Sequence, residues 1–178
     1  CCYSTITDCT FTDNTANFGG GAIYNDSWSG TISECIFTSN SADFGGGMYN
    51  ISRLPELINC EFENNTAFDG GGMFNFYIQN FSCESNMEGC DFTNNNATYG
   101  GGISNHAAGT NWVSMVPSNE FGAGGGKTGT ADTLNGDCVN GLWMKECTFT
   151  GNSAVLGGAI RNSSSLETRI DDCIFTNN

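Results

Sequence analysis

The chain has 178 residues and a formal charge of −14, from 19 acidic against 5 basic side chains. A nucleic acid or an anionic lipid surface would be repelled by that field, which removes both from the partner classes. No apolar run reaches the roughly 18 residues of a membrane span. Ten cysteines, with N-x-S/T triplets at Asn25, Asn50, Asn64, Asn80, Asn96 and Asn162, lean towards an exported protein.

A segment typified by CIFTSNSADFGGGMYN, Cys35 to Asn50, recurs along the chain. Copies open at Cys9, Cys35, Cys60, Cys90 and Cys147, and a cut-off copy opens at Cys173. Successive cysteines are 26, 25, 30, 57 and 26 residues apart, a near-constant period that marks a solenoid. Because the chain starts at Cys1 without an initiator Met and stops inside a copy, a slice of a longer protein is expected.

Within each copy the elements follow one order. Three residues before the cysteine stands an apolar residue: Ile6, Ile32, Leu57, Met87, Met144 or Ile170. A bend is expected just before the cysteine, on Asp8, Glu34, Asn59, Gly89, Glu146 or Asp172. Cysteine and a phenylalanine two residues on (Phe11, Phe37, Phe62, Phe92, Phe149, Phe175) give the period of a strand with one buried face. Five residues after the cysteine comes an asparagine (Asn14, Asn40, Asn65, Asn95, Asn152, Asn178), read as a second bend and as a stackable amide. A glycine block follows, then an apolar residue, a variable residue and a second asparagine: Asn25, Asn50, Asn75, Asn105 or Asn162. Repeated glycines imply a place where geometry excludes side chains.

Three short strands per copy and a variable return predict an all-β, right-handed parallel β-helix over residues 1–178, with about six to seven coils. The count includes a degenerate coil. In the 57-residue interval Asn119 precedes Gly124 to Gly126 at the repeat spacing, which puts Ser114 in the cysteine place. The stretch 106–146 is the irregular one.

The pairing of C-x-F-x-x-N with G-G-[GA]-[IM]-x-N resembles the repeats of the chlamydial polymorphic outer-membrane proteins. Phe11 to Asn14, Phe37 to Asn40, Phe62 to Asn65, Phe92 to Asn95 and Phe149 to Asn152 carry the first signature. Gly20 to Ile23 and Gly157 to Ile160 carry the second, while three copies have Gly in place of Ala. The resemblance implies an extracellular or cell-surface setting and a structural or adhesive role, as part of a filament, a surface layer or a large adhesin.

The rival expectation is a carbohydrate-active β-helix enzyme, a polysaccharide lyase or hydrolase. A lyase needs carboxylates around a cation with a nearby base, and a hydrolase needs paired carboxylates. The basic residues Arg53, Lys127, Lys145, Arg161 and Arg169 fall beside no repeat-aligned acidic cluster, so catalytic coils would lie outside this slice. No enzyme is expected within it. His106, the single histidine, reads as a surface residue.

Candidate binding residues are Tyr24, Tyr49 and Phe74, an aromatic column placed outwards by alternation and suited to sugar rings or another subunit. Partners are accordingly glycans or other subunits of a surface assembly. Glu61 and Asp91 share a position in consecutive coils, with Glu63 on the same face; the carboxylates either splay into water or hold a weak calcium ion. No other cofactor is expected. Asn80, Asn96 and Asn64 are the sequons suited to glycosylation, since alternation turns Asn25, Asn50 and Asn162 inwards. Cys83 and Cys138 lie off the repeat and are the disulfide candidates, and vertical bridges within the column are compatible with the stacking distance.

Overall fold

The computed structural model describes residues 4–77, 85–107, 141–163 and 167–178. The described residues form three parallel sheets and a shorter fourth ribbon wound about one axis, with no helix among them. The first sheet holds Thr5–Thr7, Thr31–Ser33, Glu56–Ile58, Ser85–Glu88, Gly141–Lys145 and Glu167–Asp171. The second holds Thr10–Thr12, Ile36–Thr38, Glu61–Glu63, Asp91–Thr93, Thr148–Thr150 and Ile174–Thr176. The third, after the glycines, holds Ile23–Asp26, Met48–Ile51, Met73–Tyr77, Ile103–Ala107 and Ile160–Ser163. Between the second and third, Ser41–Phe44 pairs with Thr66–Asp69, and single bridges carry that ribbon on to Asn96, Tyr99, Ser153 and Leu156. The chain is a parallel β-solenoid of about five turns, with a sixth begun at Cys173.

Register is fixed by identity: like residue sits on like residue. Phe11, Phe37, Phe62, Phe92, Phe149 and Phe175 stack with ring centroids 4.5 to 5.0 Å apart and planes within 7° of parallel. With the cysteines and the Ile/Leu/Met positions they form the main core. Each fully buried phenylalanine contributes about 2 kcal/mol by area.

Two amide ladders flank this core. In the first, Asn14, Asn40, Asn65, Asn95 and Asn152 each donate from Nδ2 to the next Oδ1, at 2.8 to 3.0 Å, the last acceptor being Asn178. In the second, Asn25, Asn50, Asn75 and Asn105 do the same, ending on Asn162 Oδ1. A buried amide has four bonds to satisfy, and stacking on its own kind supplies an acceptor above and a donor below.

The second bend falls one residue earlier than the sequence suggests. Left-handed backbone is taken by Asp13, Ser39, Asn64, Asn94, Gly151 and Asn177, with φ of 54° to 63°. The ladder asparagine is thereby freed to point inwards. The bend before the cysteine does fall on Asp8, Glu34, Asn59, Gly89, Glu146 and Asp172. At the third bend Gly45 has φ +62, and a Cβ on its neighbour Gly46 would lie 2.5 Å from the Gly71 carbonyl of the next coil. The glycines are therefore required by backbone-to-backbone approach as well as by turn geometry.

Coil number needs correction. Phe92 pairs with Phe149, and Asp91 with Thr148, so the coils opening at Cys90 and Cys147 are direct neighbours. Their ladder hydrogen bonds span 57 residues of sequence without an intervening layer. The stack has no place for a coil between them. Ser114 and Gly124 to Gly126 themselves lie outside the described residues, as do Asn80, Cys83 and Cys138.

Candidate functional site

The bend at Gly45, Gly70, Gly100 and Gly157 folds the end of the short ribbon against the back of the glycine sheet. Residues that alternation alone would turn to solvent meet there. Phe44, Tyr49, Ile51 and Phe74 make a second buried cluster, with Phe18 and Phe76 packed on it. The expected aromatic binding column is thus mostly interior: Tyr24, Tyr49 and Phe74 are in register, but Tyr49 and Phe74 are 3% and 2% exposed against 51% for Tyr24. Only Tyr24 could meet a ligand. Burial also holds the Tyr49 hydroxyl well above the ordinary phenol range.

Further along the same cleft the apolar columns turn polar. Asp69 replaces Phe44 in its column, Ser104 and Arg161 follow Phe74, and His106 and Ser163 follow Phe76. Asp69, Ser104 and His106 are buried. His106 is therefore not the surface residue expected from sequence; it stacks on the Phe74 ring at 5.0 Å. Arg161, partly exposed, lies over the Tyr99 ring at 4.5 Å. Its Nη1 is 3.1 Å from Asp69 Oδ2 and 2.8 Å from His106 Nε2. Ser104 Oγ lies 3.0 Å from the same ring nitrogen, and Ser163 Oγ hydrogen-bonds His106 Nδ1.

The line Ser163, His106, Asp69 has the residue types of a nucleophilic triad, but its proton inventory runs the other way. An arginine N–H can only donate, so Nε2 accepts and Nδ1 carries the proton towards Ser163. Ser163 also lies 3.4 Å from the Asn105 carbonyl, to which its hydroxyl donates. A base that already donates to the hydroxyl cannot remove its proton. The cluster instead neutralises a buried carboxylate, whose other oxygen, Oδ1, has no hydrogen-bond partner among the described residues.

The acidic candidates lie elsewhere. Glu61 and Asp91 are register partners on the exposed face of the second sheet, and Glu63 pairs with Thr93 two residues along. Among the described residues no three His, Cys, Asp or Glu side chains converge as a metal site would require. Asn64 and Asn96 are exposed, whereas Asn25 and Asn50 are buried in the second ladder; Asn162 continues that ladder but is exposed at its end. The six column cysteines are free thiols.

Sequence reasoning missed the Asp69, His106 and Arg161 cluster. Its signal was present as a polar replacement in three adjacent apolar columns of consecutive coils, at positions that alternation had assigned to solvent.

The profile of the Chlamydia polymorphic membrane protein repeat matches residues 8–26 and 146–163. Both segments carry alanine in the third glycine-block position, Ala22 and Ala159. No curated protein matches the chain, and no solved structure does. The chain is a parallel β-helix solenoid whose repeats resemble those of the chlamydial polymorphic membrane proteins.

Proposed function

We infer that the chain is a rigid section of an extracellular surface protein, structural or adhesive in role and not an enzyme, whose coil stack displays the variable returns. The observation that carries this reading is the continuity of the stack across the longest return. The chain leaves the glycine sheet after residue 107 and rejoins the first sheet at Gly141, yet Met87 pairs with Met144 and Asn105 with Asn162 as in every other coil. A scaffold that absorbs such an interval without losing register suits the presentation of variable sequence. The matched repeat type, named for a membrane protein family, supports a surface setting. Glycans, or other subunits of a surface assembly, fit the acidic and polar exterior better than any polyanion.

The test replaces residues 108–140 by a short Gly/Ser linker in the full-length protein. Strand content and melting temperature should stay within a few degrees of the parent, while binding to host cells or to a glycan array falls. Loss of the fold, or undiminished binding, would reject the display reading. Cleavage of a polysaccharide by the full-length protein would overturn the non-enzymatic one.

A further inference from the structure

The cysteine column is a line of thiols with a fixed repeat. Cys35, Cys60, Cys90 and Cys147 are fully buried, and Cys9 and Cys173 at the two ends are half-buried. In all six, Sγ donates to the carbonyl two residues earlier, at 3.2 to 3.5 Å. Equivalent sulfur positions on coils whose next strands are in register repeat at the coil rise. The phenylalanine column two residues away measures that rise as 4.5 to 5.0 Å.

That spacing admits a disulfide only if two neighbouring cysteines turn away from the carbonyls they donate to, since bonded sulfurs lie only ~2.05 Å apart. It does suit a single atom lying between two sulfurs. Two metal–sulfur bonds of ~2.3 Å placed end to end span ~4.6 Å. Thiolates select soft cations, and the absence of a third converging ligand among the described residues fits neither the four ligands of zinc nor the oxygen shell of calcium.

We propose that the cysteine column binds soft monovalent cations of the copper(I) class, each held linearly between the sulfurs of two neighbouring coils. Each cation displaces one thiol proton to solvent. One S–H bond breaks, two sulfur–metal bonds form from sulfur lone pairs, no electron is transferred, and the charge of the buried pair is unchanged. A sulfur held in one linear unit is not shared with the next, so six thiols accommodate three cations.

The experiment uses the full chain with Cys1, Cys2, Cys83 and Cys138 replaced by Ser, reduced, and titrated with silver(I) nitrate in chloride-free buffer. Native mass spectrometry counts the ions, and circular dichroism follows the fold. The parent should take three ions with its strand signal intact and its melting temperature raised. Cys90→Ala should take two. Two triple variants then separate pairing from simple thiol binding, because each retains three column cysteines. Replacing Cys90, Cys147 and Cys173 by Ala leaves Cys9, Cys35 and Cys60 adjacent and should retain one ion. Replacing Cys35, Cys90 and Cys173 leaves no neighbours and should retain none. No uptake by the parent, equal uptake by the two triple variants, or uptake that abolishes the strand signal overturns the proposal. If a triple variant fails to fold, Cys90→Ala decides alone: three ions would overturn it.

Discussion

Asn65→Ala should be among the most damaging single substitutions in the chain, although it removes only an amide. Asn65 is fully buried. Its Oδ1 is 3.0 Å from both the backbone N–H and the Nδ2 of Asn40, and its Nδ2 donates to the Phe37 carbonyl at 2.8 Å and to Asn95 Oδ1 at 3.0 Å. Alanine leaves the Asn40 N–H and the Phe37 carbonyl without these partners in a dry interior. At ~1–3 kcal/mol for each of the two groups, the loss is about 2 to 6 kcal/mol. Asn14 begins the same ladder but is exposed, and water can take over its role. Asn14→Ala should therefore cost under about 1 kcal/mol. Urea titration followed by circular dichroism compares the two midpoints at equal slope. Equal midpoints would refute the claim that the ladder is held by satisfying buried amides rather than by shape alone.

Gly46→Ala should destabilise by about 2 kcal/mol or more, because its Cβ would meet the Gly71 carbonyl at 2.5 Å, and the loss would appear as a lowered melting temperature. Arg161→Met should cost about 3 to 5 kcal/mol by leaving the buried Asp69 carboxylate with only the His106 imidazole, 3.3 Å away, beside it, and neutralising it with Asp69→Asn in the same chain should recover most of the loss in urea titration. Asp91→Asn should stabilise by a few tenths of a kcal/mol, at most about 1, by relieving repulsion from Glu61. A calcium-dependent rise in melting temperature that the parent shows and Glu61→Gln lacks would instead mean that the carboxylates share a cation.

The ladders were legible because a parallel solenoid demands the same residue at the same place in every coil, so recurrence in the sequence is contact in the structure. Phe62 on Phe92 and Asn65 on Asn95 could be named from spacing alone. The bend beside Asn65 could not be placed to the residue, since its occupants Asp13, Ser39, Asn64, Asn94, Gly151 and Asn177 are as varied as any turn. The second buried cluster was hidden for a different reason. Period-two alternation turns Tyr49 and Phe74 away from the main core, and nothing local reveals that the Gly45 bend brings Phe44 over them. His106 was misjudged because its partners are remote, Arg161 being 55 residues away. Between Cys90 and Cys147 a spaced glycine run suggested a coil, but a glycine block is specific only when its phenylalanine and asparagine ladders come with it.

Identical ladders have a drawback for a folding chain. Phenylalanine, asparagine and glycine columns would accept almost any coil on top of any other, so mis-stacked forms with a coil skipped or looped out would differ little in energy from the native one. Asp69, Ser104 with His106, and Arg161 with Ser163 come from three consecutive coils and satisfy one another in one order only. Skipping the coil that contains His106 would leave Asp69 beside Arg161 without the imidazole between them. Skipping the next would remove the guanidinium and leave the carboxylate only the imidazole. This charged interruption of an otherwise repetitive interior thus works as an address, widening the gap between the correct order of coils and its near-copies.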